Sequence, residues 1–521
     1  MTVAAVNLRE SRFIALLATA WLAAFVFYLP LPIDHDVSWY LVATNRLLDG
    51  ERVYRDIIEI NPPLAFYLTM PPLLAARLTG LSPETCFVGY LFLLIAASLV
   101  LAYRLLALLP GASILYRRGM LVGVLVGFCL IPMPFFGQRE HLTFILALPY
   151  LLLVAVRLTG GRCRPGLASL IGGLAAAGLG LKPYFLLVPA LLEIYGVIVN
   201  RSVRGVFRPE TWTLGAGIAL YAAAIVLLHP EYLHFIVPMA SLVYGAYAAP
   251  LTAVIGEMPL LAFSLAGIVY GVTRVSGPAD RVTAVLALAA VGFTVAYLVQ
   301  SKGWLYQLIP ATAAMWLMAT SVLLRLVERR HEQRSTGGNA LLYAAIGALA
   351  YLLIDPIATG HYRNPLADDL LPIVHKQAAG GSIYAFTADV WVGFPLVNEA
   401  RVGWASRFPT QWLLPGVVRE LSQANAPDPV TRQKLQDVER YAVDAVIDDL
   451  RRTPPDIVIV DTGSPFFGHG SFDFLAYFSR DDRFEQFWRP YVRIGESSLD
   501  LGGQRRFEIW CRRYPNHDCT G

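Results

Sequence analysis

The chain has 521 residues, of which 56% are hydrophobic and only 15% charged, and its mean hydropathy is +0.52. Soluble domains carry about 25% charged residues, so this composition excludes a soluble globular protein and points to a polytopic membrane protein. The net charge of +4 does not argue for nucleic-acid binding, because the arginines sit in short loops between apolar spans.

The N-terminal residues MTVAAVNLRESR are short and polar. The span after them, 13–30, lacks a small-residue cleavage site and reads as an anchor rather than a signal peptide. Further apolar spans are expected at 84–109, 119–136, 142–158, 166–181, 183–199, 212–228, 254–272, 281–299, 303–325 and 339–355. Most approach the roughly 20 residues that cross a bilayer. Around Lys182-Pro183 two readings stay open: two crossings meeting at a turn, or one kinked helix. Residues 64–79 are apolar, but Pro71-Pro72 is expected to break them as a helix.

Charge orders these spans. Arginine clusters at 9–12, 117–118, 157–164, 201–208, 274–281 and 325–334 fall on one side if 64–79 does not cross and 166–199 crosses twice. The short loops opposite hold only Arg139, Lys182 and Lys302. The arginine-rich side is cytoplasmic by the positive-inside rule. The expectation is eleven crossings, with the N-terminus inside and the C-terminus outside. The first loop, 31–83, then faces out, as do the corners at 137–141 and 301–304, the 229–253 loop and the tail.

Within the first loop, Asp34-His35-Asp36 stands before an amphipathic stretch that includes Tyr40 and closes at Asp49-Gly50. Two short interfacial helices there would form a platform over the bilayer. A carboxylate at its head could deprotonate an incoming hydroxyl or hold a divalent metal ion. It could equally cap the helix. In the corner Gly137-Gln138-Arg139-Glu140-His141, three ionisable residues stand in a row at a membrane face, which is costly without a role. Arg139 suits a phosphate, and Glu140 a second acid or ligand. The alternative is an interfacial ion pair with a helix cap. Lys182 and Lys302 are each the only basic residue of an outward corner, so an anionic lipid phosphate is their natural partner; ordinary snorkelling is the alternative. Trp304 and Tyr306 follow Lys302. In the 229–253 loop, Tyr232, His234, Tyr244 and Tyr247 suit a sugar or lipid pocket, or an interfacial aromatic belt.

The tail, 356–521, has soluble composition. GSIYAFT, the run 456–461 and FEIWCRR read as short strands, and 428–453 as a helix. The expected organisation is a membrane module over 1–355 and a small outward-facing α/β domain over 356–521. Asp389, Trp391, Arg401, Trp404 and Arg407 could face an acceptor or dock the tail. Cys511 and Cys519 could pair in an oxidising compartment, but their spacing does not show it. A P-loop, a dinucleotide fingerprint, HExxH and Gly-x-Ser-x-Gly are all absent from the sequence.

With Asp36 four residues before Tyr40, and Asn61-Pro62-Pro63-Leu64 leading to Phe66-Tyr67, the chain resembles the GT-C superfamily of membrane glycosyltransferases. The similar branch is that of protein O-mannosyltransferases and lipid A aminoarabinose transferases. Two positions depart from the pattern: Val37 stands where the family has Glu, and Asn61 where it has Lys. The resemblance implies a polyprenyl-phosphate-sugar donor and inversion at the anomeric carbon. The acceptor would be a periplasmic glycan, lipid or protein, reached from a bacterial inner membrane. By the same resemblance Asp36 is the general base or a metal-bound acid, with Glu140 as second acid. Arg139, Lys182 and Lys302 would neutralise the leaving phosphate, and Asp34, His35, Tyr40, His141, Tyr244, Trp304 and Tyr306 would line the cavity. A lipid-linked-sugar transporter and a non-catalytic envelope assembly protein are the rival readings.

Overall fold

The computed structural model describes residues 3–256, 278–333, 339–422, 427–468, 472–500, 504–515 and 519. The chain divides into two compact units. The first is Met1–Leu31, Leu74–Ala223 and Ala249–Tyr362; the second is Pro32–Leu73, Ala224–Ala248 and Arg363–Gly521. Residues 32–73 of the first loop thus belong to the same unit as residues 363–521.

Eight described helices are long and apolar enough to cross a membrane: Arg9–Tyr28, Pro83–Ala107, Arg139–Leu158, Pro183–Asn200, Pro209–Leu228, Arg281–Gln300, Leu305–Arg330 and Leu342–Thr359. They coincide with eight of the expected spans, and the protein is a multi-pass membrane protein. The expected span at 119–136 corresponds to the shorter helix Ile114–Cys129, and that at 166–181 to Pro165–Leu179. The span at 254–272 lies largely outside the described residues. At Lys182 the backbone is extended (φ −139°, ψ 133°), so two helices meet there at a turn.

One expectation is corrected. Pro71-Pro72 does not break the first-loop segment: a single helix runs Leu64–Thr79 through both prolines. Each proline lacks an N–H and crowds the carbonyl four residues back, but the φ that its ring fixes is itself helical, and the helix continues.

In the first unit, Arg139–Leu158 is the central helix, buried along almost its whole length. Glycines allow close approach: a Cβ on Gly172 would lie 2.2 Å from the Glu210 carbonyl oxygen. At the far end of the central helix, Arg157 donates to both carboxylate oxygens of Glu210, at 2.9 and 3.1 Å. Trp316 donates to the Gly123 carbonyl at 2.7 Å. Such bonds satisfy polar groups where water is scarce.

The second unit carries a five-stranded sheet: β1 (Ser382–Phe386), β2 (Gly403–Trp404), β3 (Ile457–Asp461), β4 (Tyr491–Asp500) and β5 (Gln504–Arg512), in the order β2-β1-β3-β5-β4. β1 runs parallel to β2 and β3, and β5 is antiparallel to β3 and β4. The continuous apolar runs of β1 and β3 are buried at every residue, as central parallel strands require. The helix Pro429–Arg452 starts on Asp428, whose side chain accepts from Val430 and Thr431. Cys511 and Cys519 form a disulfide.

The first loop is built into this unit by bonds that span most of the chain. Ser38 donates to Asn398 at 2.5 Å, Arg46 to the Ser406 carbonyl at 2.6 Å, and the Ile58 amide to the Arg407 carbonyl at 2.7 Å.

Candidate functional site

In the second unit, Asp34 is the N-cap of the helix His35–Leu48: its carboxylate accepts from the Asp36 amide at 2.9 Å. Asp34 does the capping, and Asp36 sits in the first turn, where the helix dipole favours an anion. His35 bridges them, with Nδ1 3.5 Å from Asp34 and Nε2 3.9 Å from Asp36. Burial pushes the Asp34 carboxyl up to about 6, with His35 opposing and Asp36 adding to the shift. One donor atom from each of the three residues lies within 4.8 Å of the others. Two carboxylates and an imidazole suit a divalent ion of the zinc or manganese type.

The neighbouring side chains fix this helix. Tyr40 is buried edge-on to Phe66, their centroids 5.3 Å apart. Trp39 donates from Nε1 to Glu59 at 2.7 Å, and the Asn61 side-chain amide donates to the same carboxylate at 2.5 Å. Asn61, the departure from the family pattern, therefore engages Glu59. Glu59 itself was not legible as a site residue, although a lone acid among Ile57, Ile58 and Ile60 is a signal of a buried, partnered carboxylate.

The aromatic loop joins the same unit. His229 hydrogen-bonds Tyr67, and Arg55 pairs with Glu231. Tyr232 lies 5.1 Å from the Tyr54 ring, and His234 is exposed. Tyr244 packs on Tyr247 at 5.0 Å and edge-on to Trp412 at 6.1 Å. Of the tail candidates, Arg407 is held by Asp449 at 2.9 Å, Trp404 donates to the Phe408 carbonyl at 2.7 Å, and Asp389 pairs with Arg505. Trp391 lies edge-on to Phe507, and Arg401 caps the helix Leu396–Ala400 in a left-handed conformation (φ 53°).

In the first unit, residues far apart in sequence converge. Lys182 lies 2.5 Å from Glu140 and donates to Gln300 at 2.8 Å, with its ammonium 5.6 Å from the Tyr306 ring centre. Glu140 and Lys182 are both buried. Gln300 gave no sequence signal, because a lone amide at a helix end is common. Arg139 is buried at the start of the same helix as Glu140. His141 accepts from the Gly137 amide at 3.2 Å and packs on Phe136 at 4.8 Å. Trp304 stacks on Tyr306 at 5.9 Å. Lys302 is half-buried, and burial lowers its amine to about 8.

Chemically, the second unit offers an acid–imidazole–acid cluster, and the first offers cationic groups beside aromatic rings. No family model matches the sequence, and no curated protein sequence matches it. Solved structures do. The ArnT of Cupriavidus metallidurans bound to undecaprenyl phosphate superposes with a TM-score of 0.54 at 11% identity, covering 98% of this chain and 99% of that one. The apo state of the same protein gives 0.52 at 12% identity, covering 99% of both chains. An end-to-end match at so low an identity speaks for architecture rather than activity. With its apolar helices and C-terminal sheet, the chain has the GT-C fold.

Proposed function

We propose that this protein is an integral-membrane glycosyltransferase. It transfers a sugar from a polyprenyl-phosphate carrier to a glycan, lipid or protein acceptor, with inversion at the anomeric carbon. The observation that carries this reading is the Asp34-His35-Asp36 cluster, heading a first-loop helix in a chain of GT-C fold. That the superposed ArnT structure holds undecaprenyl phosphate supports a donor of the same lipid class. The Cys511–Cys519 disulfide supports an oxidising, periplasmic setting for the tail and an inner-membrane location for the body.

In this reading Asp36 takes the proton of the acceptor hydroxyl as its oxygen attacks the anomeric carbon. The bond to the phosphate oxygen breaks, and the polyprenyl phosphate leaves with the electron pair. Lys182, Lys302 and Arg139 stabilise the charge that gathers on that phosphate. Glu140 holds Lys182; Tyr40 and Tyr244 of the second unit, and His141, Trp304 and Tyr306 of the first, are the side chains assigned to substrate contact. A divalent ion held by Asp34, His35 and Asp36 would supply positive charge that acidifies the acceptor hydroxyl.

The test is incubation of purified protein with a panel of radiolabelled polyprenyl-phosphate sugars and an envelope extract as acceptor. One donor should pass its label to a product of inverted anomeric configuration. Retention of configuration would remove the single-displacement mechanism.

The Lys302 amine gives a pH prediction. Its pKa lies near 8, so the charged form is lost above that value, and a neutral amine cannot pair with a phosphate. Donor kcat/KM should fall above about pH 8, approaching tenfold per unit, because this ratio reports free-enzyme ionisations. Lys302→Arg stays charged, and its profile should be flat through pH 9.5. An unchanged fall in that variant would assign the ionisation elsewhere.

A further inference from the structure

Beyond the carboxyl ends of the parallel strands β1 and β3, the second unit gathers a row of aromatic rings. Trp412 lies edge-on to Tyr244 with centroids 6.1 Å apart, Tyr244 packs on Tyr247 at 5.0 Å, and Tyr247 on Phe466 at 4.5 Å. Bonds to the backbone tie the row to the strand ends. The Gln411 amide donates to the Thr387 carbonyl at 2.8 Å, and the Tyr247 hydroxyl to the Ala388 carbonyl at 3.3 Å. Arg505 clamps Asp389 and Asp461, and Asp461 accepts from the Gly463 amide at 3.0 Å. A Cβ on Gly416 would lie 2.1 Å from the Val243 carbonyl oxygen, so the helix Leu414–Ser422 sits directly against the segment that carries Tyr244.

Two polar groups of this row lack a partner among the described residues. Trp412 is 4% exposed and its indole Nε1 donates to nothing; Ser464, two residues before Phe466, is 1% exposed and its hydroxyl is unbonded. Trp39 and Trp404, also buried in this unit, both donate their indole N–H. A buried polar group left unpaired is costly, and its retention asks for a ligand or water that completes it. The outer rings, Tyr244 and Phe466, are only half-buried, so the row reaches the surface there. The chemistry narrows the ligand. The rings offer apolar faces, Trp412 a donor, and Ser464 a group that both donates and accepts. Arg505 is spent between two carboxylates, which leaves no positive charge for an anionic headgroup. A saccharide fits this set, with C–H faces that lie on aromatic rings and a rim of hydroxyls that meets isolated polar groups. A row of rings suits a chain of sugars rather than a single one.

We propose that this row is an oligosaccharide-binding subsite of the second unit. Trp412 and Ser464 hydrogen-bond sugar hydroxyls, and Tyr244 and Phe466 stack on the sugar rings. The acceptor of the transfer is thereby a glycan. The inference rests on the glycosyltransferase reading for the role of the bound saccharide as acceptor, but not for the binding itself.

The test uses the full-length protein in a detergent without a sugar headgroup. The probe is the oligosaccharide fraction freed from an envelope extract by mild acid and labelled with a fluorophore at the reducing end, followed by fluorescence polarisation. Wild type should bind it saturably. Trp412→Phe keeps a ring and removes the donor, so affinity should fall by about three- to tenfold, the worth of one hydrogen bond; Ser464→Ala should do the same. The melting temperature of Trp412→Phe should equal or exceed that of wild type, because an unpaired buried donor has been removed. In transfer assays both variants should raise acceptor KM by the same factor, with kcat and donor KM unchanged. No saturable binding by wild type, or wild-type affinity in both variants, would overturn the proposal. If Trp412→Phe does not fold, the affinity of Ser464→Ala decides alone. Asp36→Asn should bind the saccharide as wild type does. Saccharide binding without transfer from any donor would sink the enzymatic reading alone, whereas transfer to a protease-sensitive product without saccharide binding would sink this inference alone.

Discussion

Asp36→Asn is expected to lower kcat for sugar transfer by about 10²- to 10⁴-fold, the range associated with a positioned general base. Donor KM should hardly change, because Asp36 is assigned to the acceptor hydroxyl and not to the phosphate. The fold should survive the change. Asp34, not Asp36, supplies the cap of the helix His35–Leu48, so the variant keeps the cap and loses a dipole contact of about 0.3–1 kcal/mol and the charge 3.9 Å from His35. The helix stays anchored by Trp39 on Glu59 and Ser38 on Asn398. A melting temperature within a few degrees of wild type, with transfer nearly abolished, is the expected pair of results. Full activity would remove Asp36 from the chemistry.

The second large effect concerns Glu140 and Lys182. Removing one partner of a buried ion pair leaves the other charge uncompensated and costs about 3–5 kcal/mol. Glu140→Gln and Lys182→Met should each destabilise the protein on that scale, though Gln300, 2.8 Å from Lys182, softens the loss of Glu140. The double variant removes both charges together. Replacing a buried pair by neutral groups of similar volume is often neutral, so its melting temperature should recover most of the loss. Donor affinity should not recover, because the phosphate has lost a cation. Thermal melts and donor KM on the three variants separate a structural role from a binding one. Recovery of both quantities in the double variant would make the pair purely structural.

How far the sequence carries the fold depends on the range of the interaction. The apolar runs at 382–386 and 457–461 announce buried strands because parallel strands covered on both faces need them. Asp34 and Asp36 were each legible as a cap or an acid, but that Asp34 is the one that caps required the backbone at Asp34. Pro71-Pro72 misled, because proline's helix-breaking tendency comes from the missing donor and the crowded carbonyl rather than from its dihedral, and this helix runs through both residues. The bond between Ser38 and Asn398 crosses 360 positions, and no local pattern encodes such a pairing. For the same reason the Asp389–Arg505 clamp and the Lys182–Gln300 contact emerge only when distant segments are brought together.

The Asn61 departure also acquires a physical context. Asn61 donates to Glu59, which accepts from Trp39, so this position helps to hold the helix that carries Asp36. A lysine there would bring a charge to the same carboxylate, whereas the amide satisfies it without one.

The most direct measurement is release of polyprenyl phosphate from radiolabelled carrier-linked sugars, run side by side with wild-type protein and Asp36→Asn in the presence of an envelope extract. The account predicts release from one donor by wild type and almost none by the variant. Equal release by both proteins, or movement of intact carrier across liposome membranes with no release at all, would contradict it.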